Sequence, residues 1–232
     1  MAELQQPDPS WYEVDPAFYA NGGVVFNFSE LMALDDVAGC SVLIAPPGSG
    51  EEALSFANMG ARVSVLGDKE SSRQCRELVG AAGATVTFVE GNGGDASTMS
   101  AGQFDLLYSP WGSLDWLADR ESWAAGAASA LKLGGRLVIY DRHPFTNVAG
   151  AHRGLLVIAQ AYDGDDDSDE LLVTVGEIVN LLGEQGLATV MLEELLTSDR
   201  FVTPLDRLTS IRWDVRMRIP SAMVLAAVKI AE

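Results

Sequence analysis

The chain has 232 residues, 48% of them apolar, and fifteen basic against thirty-three acidic side chains give a net charge of −18. That length suits one domain with a full core, or one domain with a small appendage, and no apolar run is long enough to span a bilayer. A field this negative repels phosphate backbones and anionic membranes, so nucleic acid and membrane are excluded as expected partners and a small neutral or cationic molecule is favoured.

The first residues (MAELQQPDPSWYEVDP) are acidic and polar, with no basic stretch followed by an apolar core, so no secretory signal is expected and the compartment is read as cytoplasmic. Six aromatic residues follow one another here: Trp11, Tyr12, Phe18, Tyr19, Phe26 and Phe28. Most would pin the segment onto the domain. Tyr19, beside Asn21-Gly22-Gly23, is the one expected to face a pocket, where its hydroxyl offers a polar handle. Cys40 and Cys75 are too few for a disulfide framework or a metal cluster, and no metal is expected.

Ser41–Ala45 is an apolar strand, Pro46–Gly50 a turn, Glu51–Met59 a helix and Arg62–Leu66 a second strand. This is a βαβ unit with its glycines where strand becomes helix. Such a turn lets a ligand approach the backbone, with the free N–H groups of the helix start pointing at it. A nucleotide-like ligand at the top of a parallel sheet is the expectation. Glu70–Ala82 has helical spacing and stops at Gly83. Thr85–Val89 is a third strand, Phe104–Tyr108 a fourth, and Arg120–Leu131 an alanine-rich helix ended by Lys132–Gly135. Arg136–Tyr140 is a fifth strand. Strands alternating with helices of this length predict an α/β fold with a doubly wound, mostly parallel sheet.

Asp163–Glu170 (DGDDDSDE) looks at first like a calcium loop. Ser168 replaces the glycine needed at its sixth position and Thr174 the bidentate glutamate, so a solvated loop is expected. Val173–Gln185 places Val175, Ile178, Val179 and Leu182 on one helical face. Ala188–Leu192 and Ala222–Ile230 are strands joined by an irregular connection, Thr197–Pro220, which predicts a closing antiparallel pair at one sheet edge.

Four segments in this order resemble class I S-adenosylmethionine-dependent methyltransferases: the turn at Ile44–Gly50, FDLLYSPWGSLDWL, LKLGGRLVIYDRHPF and VGEIVNLLGEQGLATVMLEE. The similarity runs from Val37 to Ile230 and is strongest to small-molecule enzymes of bacteria with a His-Pro-Phe segment after strand five. It implies a Rossmann-like seven-stranded sheet with a C-terminal antiparallel hairpin over residues 37–232, and a lid or cap segment over residues 1–36. It implies S-adenosylmethionine as cofactor and methylation of an O, N or C atom of a small molecule, such as a secondary metabolite, by a monomer or homodimer. Carried onto this sequence, Ala45, Pro46, Gly48 and Gly50 form the cofactor turn. Gly67 and Asp68 stand at the end of strand two, where a carboxylate accepts from the ribose. Asn92 and Gly93 stand beside the adenine, and Ser109 at the edge of strand four. The sequence departs from the pattern at Ile44 (often acidic), Pro46 (often glycine), Gly67 (a carboxylate, here one position later at Asp68) and Asn92 (an aspartate). Either a shifted turn lets Asp68 serve the ribose, or the ribose is held differently.

Methyl transfer is an in-line displacement that needs orientation and exclusion of water, not a metal. His143 is the candidate catalytic base and a substrate contact, because it follows strand five at the carboxyl edge where ligands of open α/β folds bind. Its alternative role is to pack against Pro144 and Phe145. Asp141 and Arg142 could pair with each other, orient His143 or contact substrate. Trp111 could line the acceptor pocket or cover the core, whereas Trp116 and Trp123 are expected in the core and His152 in an exposed or structural position. Two other readings are open: the same fold with a non-methylating activity such as cyclisation or isomerisation, and a non-catalytic binding protein.

Overall fold

The computed structural model describes residues 14–92, 102–114, 119–152, 155–158, 162, 174–196 and 219–231. Two short helices, α1 (Pro16–Ala20) and α2 (Phe28–Leu34), precede the alternating run. That run is β1 (Ser41–Ile44), α3 (Glu51–Asn58), β2 (Arg62–Leu66), α4 (Arg73–Ala82), β3 (Thr87–Val89), β4 (Phe104–Ser109), α5 (Arg120–Ala130) and β5 (Leu131–Arg142). There follow α6 (Phe145–Val148), a hairpin of β6 (Ala149–His152) and β7 (Leu155–Ile158), then α7 (Val175–Glu184), β8 (Leu187–Leu195) and β9 (Ala222–Lys229). The main sheet has the order β3-β2-β1-β4-β5-β9-β8; β1 to β5 pair in parallel, and β9 runs antiparallel between β5 and β8. Among the described residues no helix is long and apolar enough to cross a membrane.

Both faces of the sheet are covered, which is why its central strands are continuous apolar runs rather than alternating ones. On one face Leu43, Leu107, Leu137 and Leu225 meet Trp123 of α5 and Ile178 and Leu182 of α7. On the other, Val42, Ile44, Tyr108 and Tyr140 meet Phe56 of α3, Cys75 and Val79 of α4, and Leu34 of α2. Val175 and Val179 sit partly buried beside Ile178, as the helical spacing requires.

The N-terminal segment docks on a polar stripe of α3. Tyr19 Oη donates to Glu51 Oε1 at 2.7 Å, Val25 N–H to Ser55 Oγ at 2.9 Å, and Asn58 Nδ2 to the carbonyls of Tyr19 and Gly23 at 2.8 Å each. Positions 51, 55 and 58 share one helix face. Phe26 then packs against the rings of Phe56 and Tyr108, with centroids 4.6 and 5.5 Å away, and those two rings also touch each other edge to face at 5.3 Å. Glu30, fully buried, accepts from Tyr108 Oη at 2.6 Å and closes a capping box with Asn27.

Several expected boundaries move. α4 starts at Arg73 rather than Glu70, because the Asp68 carboxylate accepts from the N–H groups of Glu70 and Ser71 and makes 68–72 a separate turn. The third strand starts at Thr87, not Thr85. α5 stops at Ala130, and Lys132–Gly135 belongs to β5: Leu131 lies opposite Phe104 and Arg136 opposite Leu106, with Gly134 at φ +78° in the excursion between them. The β6–β7 hairpin is an element that the sequence reading lacked. Residues 163–170 and 197–218, with Trp11, Tyr12 and Trp116, lie outside the described residues.

Candidate functional site

The chain leaves β1 towards β2 on one side, while β4 lies on the other, so the strand order reverses between β1 and β4. In open sheets of this kind ligands bind in the crevice outside the carboxyl ends of the strands at that point. One wall is the turn Ala45–Gly50 and the other the loop Ser109–Leu114. They meet at Gly48, which has φ +59°; a Cβ there would lie 3.3 Å from Pro110 Cγ and 3.3 Å from Glu52 Oε2. Ala45 is buried and its N–H donates to the Tyr108 carbonyl at 3.1 Å, which ties the two walls at their base.

Gly50 opens α3 at φ +103°, and a Cβ there would stand 3.0 Å from Cys75 Cα, so glycine lets α4 approach the start of α3. The first two residues of α3, Glu51 and Glu52, are both buried at its positive end. Glu51 accepts from Tyr19 Oη and from Ser49 Oγ. Burial, with the Glu52 charge in support, pushes the Cys75 thiol up to about 12, which makes it an inert packing group.

At the end of β2 stand Gly67 and Asp68, the residues expected beside a ribose. Pro47 is buried and its ring lies on Gly67: a Cβ built on Gly67 would overlap Pro47 Cγ and sit 3.0 Å from its Cδ and 2.9 Å from Ser71 Oγ. Asp68 is exposed and its carboxylate accepts from Ser71 N–H at 2.7 Å and Glu70 N–H at 2.9 Å. The Ser71 N–H bond is the main reason its pKa lies below the ordinary value. Asn92 is exposed beyond β3, and Gly93 lies outside the described residues.

On the other wall the organising group is Asp141, at the end of β5 and buried. Its Oδ1 accepts from Gly112 N–H at 2.7 Å and Arg142 N–H at 2.7 Å; its Oδ2 accepts from Leu114 N–H at 2.9 Å and faces Ser113 Oγ at 3.3 Å. Burial raises its pKa to about 6 against the pull of these bonds. Ser109 Oγ donates to Ser113 Oγ at 2.6 Å within the same loop. Trp111 stands partly buried, its ring 5.3 Å from that of Tyr140.

His143 is buried and both ring nitrogens are engaged. Phe145 N–H donates to Nδ1 at 3.1 Å, so Nδ1 bears a lone pair; the proton of the neutral ring is then on Nε2, 2.8 Å from Glu194 Oε1 on β8. Burial lowers its pKa, with Glu194 pulling the other way. In this tautomer the ring offers no lone pair to a substrate. Tyr19, likewise, spends its hydroxyl on Glu51. His152 is the last residue of β6. Sequence reasoning did not find the Glu194 partner, 51 residues from His143, nor the Pro47–Gly67 contact, since no local pattern encodes either. Two clefts border other parts of the surface: about 410 Å³ beside Phe18 and Gly23, and about 740 Å³ between α5 and α7 beside Ser129 and Lys229.

No protein-family model and no curated protein sequence matches the chain. Solved structures do. A S-adenosylmethionine-dependent methyltransferase from Mesorhizobium loti superposes with a TM-score of 0.63 at 20% identity, over 86% of this chain and 95% of that one. The geranyl diphosphate C-methyltransferase of Streptomyces coelicolor, crystallised with Mg²⁺, geranyl diphosphate and S-adenosyl-L-homocysteine, gives 0.59 at 12% identity over 87% and 76%. A protein of echinomycin biosynthesis, described by its conversion of a disulfide bond into a thioacetal group, gives 0.57 at 20% identity over 87% and 80%. The likeness establishes the fold: a seven-stranded Rossmann-like sheet of the S-adenosylmethionine-dependent methyltransferase type, with its antiparallel β9.

Proposed function

We propose that this chain binds S-adenosylmethionine and transfers its methyl group to an O, N or C atom of a small molecule. The observation that carries the reading is the reversal of strand order between β1 and β4, with a glycine-bearing turn on one wall and a pinned loop on the other. The solved neighbours support it, because they include methyltransferases crystallised with this cofactor or its demethylated product.

The residues present fit the group at the turn and differ at the ribose. Ala45, Pro46 and Gly48 would hold it through the main chain, Ser109 from the facing wall, and Asn92 with Gly93 beside the base. When bound, the cofactor supplies an electrophilic methyl group on a cationic sulfonium. The chain's own part is to orient the acceptor and exclude water. Trp111 serves the acceptor side of the crevice, its place fixed by the loop that Asp141 holds. Tyr19 and the segment around it close over the start of α3. His143 acts as a positioning residue that fastens the end of β5 to β8; to serve as a base it would have to give up the Phe145 N–H. A cytoplasmic location and a monomeric or dimeric state go with this reading.

Calorimetric titration with S-adenosylhomocysteine tests it, followed by incubation with methyl-labelled cofactor and candidate acceptors. Binding in the micromolar range and a product heavier by one methylene unit are expected. A product of unchanged composition would point instead to cyclisation or isomerisation on the same fold, and no binding at all would overturn the reading.

A further inference from the structure

We propose that the cofactor's ribose is held here without a carboxylate, because Pro47 occupies the space over Gly67 from which one would act, so that affinity rests on the two ends of the ligand. This rests on the S-adenosylmethionine reading. In nucleotide-binding sheets of this design an acidic residue at the end of the second strand accepts from ribose hydroxyl groups. Here the first residue after β2 is Gly67, and the Pro47 ring lies where its side chain would begin. Pro47 is itself buried, so it cannot swing aside without reshaping the β1–α3 turn. Proline also brings no N–H of its own to the ligand.

The next carboxylate cannot substitute at no cost. Asp68 closes the turn that leads into α4 by accepting from two successive N–H groups, and it faces solvent. Turning it inward would leave both donors without that partner. Glu90 follows β3, whose Val89 lies opposite Leu66, and is therefore one strand further from the crevice than Gly67. A buried proline ring and a glycine backbone thus fill the end of β2, where related designs present an anion.

The test is calorimetry on the full chain with S-adenosylhomocysteine and its 2′-deoxy and 3′-deoxy analogues. A carboxylate contact to a hydroxyl is worth on the order of tenfold in affinity or more. The proposal expects all three ligands to bind within about threefold of one another. A loss on the order of tenfold for either analogue overturns it and leaves the cofactor reading standing, whichever carboxylate is responsible. Failure of S-adenosylhomocysteine itself to bind overturns the reading and the proposal together. A double variant, Pro47→Gly with Gly67→Asp, supplies a second arm. Once room and charge are restored, S-adenosylhomocysteine should gain on the order of tenfold and the deoxy analogues should not. A folded double variant that still ignores the hydroxyls counts against the place assigned to Pro47.

Discussion

Asp141 and His143 stand two residues apart and respond to pH in opposite directions. Asp141 has its pKa raised from 3.8 to about 6 by burial, so between those values the folded state binds the proton that the unfolded state has lost. Its contribution to stability therefore falls as pH rises through that window, by up to about 3 kcal/mol. Replacing it with asparagine removes this slope. The new amide nitrogen must also face N–H donors, either those of Gly112 and Arg142 or that of Leu114. We expect Asp141→Asn to cost about 1–3 kcal/mol at neutral pH and to speed hydrogen exchange at Gly112 and Leu114. Denaturant titrations at pH 5 and pH 7.5 check both parts; a variant that keeps the wild-type pH slope would show that another group sets it. His143 has a lowered pKa, so the unfolded chain takes the proton first as pH falls through about 6.5, and stability from this group is lost on the acid side. Protonation would also set an Nδ1–H against Phe145 N–H. Glu194→Gln removes the charge that favours the imidazolium, and the ring-proton titration of His143 should then shift further down. An unchanged or higher midpoint would mean that Glu194 does not govern the ring.

Between α3 and its neighbours, the close approaches are set by long-range contacts that the sequence did not mark. The helix itself was legible: an apolar strand, then Pro-Gly-Ser-Gly, then helical spacing. What it binds was not, because Tyr19 and Glu51 are 32 positions apart and Gly50 looks like any turn glycine until Cys75 is placed against it. The junction of α5 with β5 was misread for a related reason. Lys132 to Gly135 has the composition of a helix stop, yet Leu131 is already paired with Phe104, and the glycines accommodate an excursion inside the strand. Two glycine substitutions separate backbone strain from packing. Gly39 (φ +75°) has nothing within 4 Å of a built Cβ, so Gly39→Ala carries only the left-handed penalty of about 1–2 kcal/mol. Gly50→Ala adds the 3.0 Å contact with Cys75 and should cost about 1–3 kcal/mol more. Equal losses in thermal denaturation would show that α4 yields without resistance. On the outer face of α3, Tyr19→Phe removes one buried hydrogen bond to a carboxylate. It should cost about 1–3 kcal/mol and raise hydrogen exchange over residues 16–25, with the β1–β5 core unaffected.

At the scale of the whole molecule, the topology was legible because each parallel strand must be buried on both faces, and the alternation of apolar runs with helical spacing leaves few other arrangements. The chemistry was less so: the crevice follows from strand order, but its contacts depend on long-range packing. Net charge belongs to the whole chain and bears on the site without reference to the fold. With −18 spread over 232 residues, the surface potential acts on anything that approaches, and it acts on a ligand's net charge. S-adenosylmethionine carries one net positive charge through its sulfonium, whereas S-adenosylhomocysteine is neutral overall. The two differ by a single methyl and would otherwise meet the same walls. Added salt shortens the reach of the field from about 10 Å near 0.1 M to about 3 Å near 1 M. Affinity for the methylated form should therefore weaken with salt, on the order of threefold or more over that range, while affinity for the demethylated form should hardly change. Parallel titrations of the two ligands at low and high salt make the comparison. Equal responses would mean that the acidic surface serves solubility alone; a response confined to the sulfonium would mean that it also draws the charged cofactor in and lets the neutral product go.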